Sequence, residues 1–511
     1  MSLALMAWPA TRPSAQTRTP AAAAPVDLHS HRQGLPSLGD SQGMSLAAER
    51  RLGDRIARDI YRDPDYLDDP VLGDYLQSLW QPLLGAARAR GDVPLELFER
   101  LAWELMLSRD RRVNAFALPG GYLGVQLGLI AVTATESELA SVMAHELSHV
   151  SQRHIARLVS RQNSLSPWLL GAMVLSTLAA RASSEVASAA MAGSQAVAAQ
   201  TQLNFSRDME READRVGFGV MTGAGFEGQG FVGMFEKLQQ ASRFNDDGSF
   251  PYLRSHPLTS ERVADMRSRL SLQAESASNA PVPSGLHTLM AARARVLTET
   301  APDRLRSLLQ SGQLANAGAG DRYAAAWAAQ RLGQPDQALK LAQSLRAKVA
   351  PDLRPAVDLL LLDLLLQQHA APAPAGVSPA ATAELKRLRD EALMGQTRSA
   401  LLLGAQAALI SGEVARAVTV LQSWVVQYPR DALAWQTLAR AFTLQGQPLR
   451  AIRAEAEARL AQFDHAGAVD RFKAAQRLPA AQRAADPIEL AIVDSRLRVA
   501  EGLLREFALE E

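Results

Sequence analysis

Two histidines and a glutamate stand at a spacing that can hold and use a metal ion: His145-Glu146-Leu147-Ser148-His149. On an α-helix, positions i and i+4 share a face, so the two imidazoles converge on one zinc ion while Glu146 points at the ion's open side. A cation held this way lowers the pKa of its water and polarises a peptide carbonyl. Glu146, which is not itself a ligand, would then take the water's proton and pass it to the leaving amine. The chemistry predicted is metal-assisted peptide hydrolysis with one Zn2+ per chain.

Such a site needs a third protein ligand that leaves the fourth position to water. Glu210-Arg211-Glu212-Ala213-Asp214 offers carboxylates from a second helix. Acidic residues four apart on a helix are usually a solvated face, so spacing alone leaves this assignment open. His154, beyond the pentapeptide, reads as a surface residue near the helix end.

The elements that must position these groups are partly legible. Glu136 to Gln152 contains no Gly or Pro, and Leu139, Val142, Met143, Ala144, Leu147 and Val150 supply the apolar face of a buried helix. Upstream, helices are expected through Ala87 and over Leu95–Ser108. Asn114, Ala115, Phe116, Ala117 and Leu118 then lead into a Pro119-Gly120-Gly121 turn and a second strand, Tyr122-Leu123-Gly124-Val125. An exposed strand edge there can bind an extended peptide through main-chain hydrogen bonds, whereas a plain core hairpin would bind nothing. Ser255-His256-Pro257-Leu258-Thr259-Ser260-Glu261-Arg262 reads, by itself, as a histidine in an ordinary turn.

Taken together, His145-Glu146-x-x-His149, Glu210-x-x-x-Asp214 about 60 residues later, and Asn114 to Gly121 upstream resemble the HtpX-like and BepA-like family of gluzincin metallopeptidases. The resemblance implies that His145, His149 and Glu210 are the zinc ligands and that Asp214 supports them. It gives Glu212 no ligand role. His256 and Arg262 match a family segment whose His and Arg lie beside the metal, which makes them candidates for stabilising the oxyanion. In BepA-like members this loop can also cover the cleft and set its His on the zinc, so His256 can be a latch instead. The resemblance favours a substrate-edge role for Asn114, Ala115, Phe116 and Ala117.

The rest of the chain frames this centre. With 511 residues, 47% of them hydrophobic, it can build two or three domains, and a net charge of +1 offers no argument for nucleic acid. A peptidase domain is expected over 44–272, a linker over 273–285, and a helical domain over 286–511. In the helical domain Gly412 and Ala417 recur as Gly446 and Ala451 after 34 residues, the tetratricopeptide period, with Gly333 and Ala338 as an upstream copy. Phe463 to Ala468 repeats out of register. The expected class is mainly α: an α+β HExxH domain with a small sheet, then a TPR-like solenoid whose groove binds other proteins.

Residues 1–43 read as a flexible terminus. Ser2-Leu3-Ala4-Leu5-Met6-Ala7-Trp8 and Pro13 to Gln16 are similar to the end of a secretory signal without its basic region. Pro167 to Ala180 is apolar but, at about 14 residues, too short to span a bilayer. With the Ala- and Ser-rich stretch to Gln202, it reads either as a contact with a membrane surface or as a buried helix. The chain has no cysteine, which excludes disulfides and thiol catalysis without fixing a compartment. What the BepA-like architecture implies is a periplasmic endopeptidase and chaperone acting on misfolded or misassembled outer-membrane proteins. The repeats would bind substrate or assembly machinery. The alternative is a mainly non-proteolytic chaperone or adaptor whose zinc site is latched.

Overall fold

The computed structural model describes residues 44–161, 207–243, 249–273, 284–370 and 379–508. Helices dominate, and one four-stranded sheet lies among the first of them, in the order β1 (Tyr66–Leu67), β2 (Glu104–Ser108), β4 (Tyr122–Gln126), β3 (Ala115–Leu118). β2 runs parallel to β4 and β3 antiparallel to it. The expected hairpin forms, and its tight turn needs the two glycines: Gly120 and Gly121 sit at φ 76° and 85°, where a side chain would be strained. At Gly124 a Cβ would lie 2.2 Å from the Phe116 ring, so the neighbouring strand dictates this residue too.

The helix expected over Leu95–Ser108 is corrected. It ends at Arg100, the chain turns through Trp103 at φ 51°, and Glu104–Ser108 becomes β2. Glu, Leu and Met favour helix locally, but pairing with β4 on one side and β1 on the other overrides that preference.

The helix that carries the two histidines, Glu136–Ser151, starts at Thr135, whose hydroxyl accepts a hydrogen bond from the Glu138 amide at 3.1 Å. Every residue from Ser137 to Ser151 is buried. Pro70–Ala89, Arg207–Gly223, Gln229–Arg243 and β3 pack around it. Gly217 allows a close approach of Arg207–Gly223, since a Cβ there would come within 3.1 Å of the Ala144 carbonyl oxygen. That approach carries the acidic end of Arg207–Gly223 to the histidines.

Beyond Gly285 the described chain is helical. Ala319–Arg331 pairs with Pro335–Lys348, Arg398–Ile410 with Val414–Gln427, and Ala432–Leu444 with Pro448–Ala461. Each pair turns at a left-handed glycine, Gly333, Gly412 and Gly446 at φ 74°, 79° and 68°. The alanine five residues on, Ala338, Ala417 or Ala451, is buried where the helices touch. Phe463, at φ 58°, takes the same place before His465–Gln476, and Ala468 is again buried. The out-of-register copy is therefore a further turn of the same stack.

Gly43–Glu511 make one compact unit. A continuous core from Leu67 to Ala407 joins the sheet-bearing half to the helical half. Polar groups lock that junction. Arg293, buried, donates to Asp69 at 2.6 Å and to Asp363 at 2.8 Å. His287 lies 2.6 Å from the Tyr75 hydroxyl and 2.8 Å from the Thr133 carbonyl, while Arg398 bridges Asp68 and Asp431. In a chain without cysteine, these ion pairs and hydrogen bonds reinforce the shared apolar core in joining the two halves. No helix among the described residues is long and apolar enough to cross a membrane. The terminus 1–43, most of the expected linker and segment 167–202 lie outside the described residues.

Candidate metal centre and active site

His145 and His149, one turn apart, present their Nε2 atoms 3.0 Å from each other. Glu210 reaches them from Arg207–Gly223, with Oε2 3.5 Å from His145 Nε2 and Oε1 3.5 Å from His149 Nε2. Metal–ligand bonds of about 2.0–2.1 Å in a tetrahedral zinc site imply ligand–ligand edges of about 3.3–3.4 Å. The donor set fits that requirement. The ligating atoms of His145, His149, Glu210 and His256 all lie within 4.8 Å of one another, and all four residues are buried. Among the described residues Glu210 Oε2 accepts no hydrogen bond, although Arg262 Nη1 forms an ion pair with it at 2.8 Å. A buried carboxylate oxygen facing imidazole lone pairs in this way suits a cation.

His256 follows the short helix Tyr252–Ser255, and its ring stacks on Tyr252 with centroids 4.6 Å apart. Its Nδ1 lies 3.4 Å from His145 Nε2 and 2.9 Å from Glu210 Oε1, the fourth corner of the cluster. Its Nε2 is 3.3 Å from Glu146 Oε1. The other carboxylate oxygen of Glu146 accepts a hydrogen bond from the Ala117 amide at 2.9 Å. β3 is an edge strand. Asn114 bonds inward to Gln126 on the β4 side, so by alternation Ala115 and Ala117 turn their backbone groups outward, with Ala117 facing the centre. Phe116 points to the opposite face of the sheet and covers Gly124.

Arg262 organises the far side. It makes a bidentate pair with Asp214, 2.6 and 2.8 Å, and donates to the Pro257 carbonyl at 2.8 Å, which ties the His256 loop to the carboxylate helix. Asp214 Oδ1 in turn lies 3.0 Å from His145 Nδ1. Burial works against the charge on both carboxyls. For Glu210 the neighbouring His256 and His145 overcome it and hold the group well below the usual carboxylate range, and for Asp214 the Arg262 guanidinium and His145 lower the pKa. The two histidines are pushed apart. Burial opposes charge on His145, yet Asp214 and Glu210 raise it to about 9, while burial and the charge of His145 press His149 well down, towards the neutral ring that a metal ligand needs.

His145, Glu146, His149, Glu210, Asp214, His256 and Arg262 are thus brought to one place, with Ala117 of the edge strand touching it, while Phe116 turns away and Asn114 lies just ahead of β3. One was missed. His154 is fully buried rather than on the surface, with Nδ1 2.8 Å from His149 Nδ1 and Nε2 3.1 Å from Glu212 Oε2. The sequence reading extends one continuous helix past His149, but the helix stops at Ser151 and restarts at His154, with Arg153 left-handed at φ 53° between them. The only sequence signal available was a histidine close after the motif.

Residues 76–270 match Peptidase family M48. A Yersinia pestis protein described as beta-barrel assembly-enhancing protease is 29% identical over 435 residues, covering 83% of this chain and 83% of the relative. The protein of that description from Escherichia coli (strain K12) is 34% identical over 237 residues, 46% of this chain, and the match spans about half, 47%, of that relative's length. The mitochondrial metalloendopeptidase OMA1 of Saccharomyces cerevisiae is 26% identical over 196 residues, 37% of this chain and 54% of its own.

Proposed function

With a family M48 peptidase domain over residues 76–270 as the premise, we propose that the chain is a zinc-dependent endopeptidase of the cell envelope, with His145, His149 and Glu210 as ligands. The observation that carries this reading is the convergence of those three side chains, with Glu146 beside them and hydrogen-bonded to an edge strand. Zinc, when bound, supplies Lewis acidity towards a carbonyl and a water.

The chain's own groups do the rest. The outward edge of β3, from Asn114 to Ala117, pairs with an extended peptide and sets its backbone beside Glu146, with little demand on side-chain identity. Glu146 takes a proton on Oε1, the oxygen that Ala117 does not bond, and gives it to the leaving nitrogen. Arg262 fixes Asp214, and Asp214 in turn fixes His145. His256 occupies the fourth corner, so in this conformation it is a latch that must swing out before a peptide enters. Once displaced, its imidazole is a candidate donor to the oxyanion.

The test uses unfolded casein and purified zinc-loaded protein. Glu146→Gln should keep zinc and lower kcat/KM by about 10²–10⁴-fold, and His256→Ala should raise cleavage. Undiminished cleavage by Glu146→Gln would sink the assignment.

The relatives' description, a protease that enhances β-barrel assembly, supports β-barrel proteins as the substrate class, and we propose that these are misfolded or misassembled outer-membrane proteins met in the periplasm. The 34-residue helix pairs suit a TPR-like scaffold that binds substrate or the assembly machinery. A second reading rests on the same fourth-corner histidine: a chaperone or adaptor whose latched centre seldom cuts. Absence of cleavage both in the parent and in His256→Ala would favour it.

A further inference from the structure

Each proposed histidine ligand has a second ring nitrogen that must make a defined hydrogen bond if the ring is to hold its orientation and tautomer. For His145 that partner is Asp214. For His149 the second nitrogen, Nδ1, lies 2.8 Å from His154 Nδ1. We propose that His154 and Glu212 form a relay that orients His149 and fixes its tautomer, so that zinc affinity depends on two residues that never touch the metal. This rests on the reading of His149 as a zinc ligand.

The proton bookkeeping allows only one arrangement of neutral rings. If Nε2 of His149 carries the lone pair that ligates, its proton is on Nδ1. That proton faces His154 Nδ1 at 2.8 Å, which must then accept. His154 therefore bears its own proton on Nε2, which faces Glu212 Oε2 at 3.1 Å, an acceptor. Glu212 is pinned in turn by Arg157 Nη1 at 2.9 Å. Every donor in the chain of four meets an acceptor.

The backbone is bent to make this contact. On an uninterrupted helix a residue five positions on lies about 140° round the axis and cannot face its partner. Here Ser151 ends one helix, Arg153 takes the left-handed conformation that a non-glycine residue seldom adopts, and a second helix opens on His154. The turn is anchored from outside: Arg153 Nε donates to Glu49 Oε2 at 3.0 Å, and Glu49 is buried. An imidazole meets both ends of this contact, accepting at Nδ1 and donating at Nε2.

The test compares the parent with His154→Leu, which keeps volume but has no acceptor, and His154→Asn, whose amide oxygen stands where Nδ1 stood. Zinc affinity is measured by competition with a chromophoric chelator, ligand geometry by the visible spectrum of the cobalt-substituted protein, and folding by thermal melting without metal. His154→Leu should bind zinc about 10–100-fold more weakly and shift the cobalt bands. His154→Asn should recover most of the affinity, with all metal-free forms melting alike. Equal affinity and spectra in all three would overturn the relay, as would equal weakening in both variants, which would mean packing alone. Should His154→Leu fail to fold, Glu212→Ala, at a partly exposed side chain, takes its place. It should weaken zinc measurably but less, and an unchanged affinity would count against the relay. A parent that takes up no zinc would instead bring down the reading of the site itself.

Discussion

The histidine helix and the helical repeats are both buried α-structure, yet they are built on opposite terms. Around Glu136–Ser151 the buried side chains include two histidines and a glutamate, met by Glu210, Asp214, His256 and Arg262, so charge and lone pairs hold that region in register. In Ala432–Ala461 the buried set is mostly Ala, Leu, Trp and Phe, with Thr437 and Glu457 as polar exceptions, and the turn between the helices depends on one backbone angle at Gly446. Charges buried together fail together when one is removed. Repeated apolar contacts fail locally and roughly additively.

The largest effect should come from taking the metal away. Chelation should abolish hydrolysis and speed amide hydrogen exchange in Glu136–Ser151 and Arg207–Gly223, leaving Ala432–Ala461 protected as before. Equal loss of protection in both regions would break the contrast. At the junction, Arg293→Ala strands Asp69 and Asp363 and should cost about 3–5 kcal/mol in denaturant unfolding. In the repeats, Gly446→Ala meets no atom within 4 Å of its new Cβ. Only the left-handed backbone is strained there, so the cost should be about 1–2 kcal/mol. A cost as large as that of Arg293→Ala would show that the repeats are not locally additive.

The mildest effect concerns pH. Burial lowers the pKa of His287, with the Thr133 carbonyl opposing only in part. Its folded pKa therefore lies below the unfolded value near 6.5, and the unfolded chain binds more protons between the two. The stability from this group is fully present above about pH 6.5 and declines as the pH falls. Melting temperature should drop on acidification through that window, and His287→Gln should flatten the drop.

Local rules made part of the centre legible. His145, Glu146 and His149 belong to one helical turn, so spacing alone sets their geometry. The Pro119-Gly120-Gly121 turn and the recurring glycines of the repeats are legible for the same reason, since a left-handed position selects its residue. Glu210 was a candidate on spacing and became specific only through resemblance, because its helix approaches from 61 residues further along the chain. β2 was misread because Glu104-Leu105-Met106-Leu107 carries helix-forming residues, while its strand state is settled by β4, a partner it meets only in the folded chain.

By itself, then, the sequence determined the chemistry on offer: two imidazoles and a carboxylate on one helical face, a tight hairpin, and helix pairs of period 34. Only the tertiary structure decided that His256 stands at the fourth corner, that His154 turns back beneath His149, and that Arg293, His287 and Arg398 fasten the two halves. The physical reason is range. Helical periodicity and turn geometry act over a few residues, whereas a buried polar group is satisfied by whichever distant partner the packing delivers.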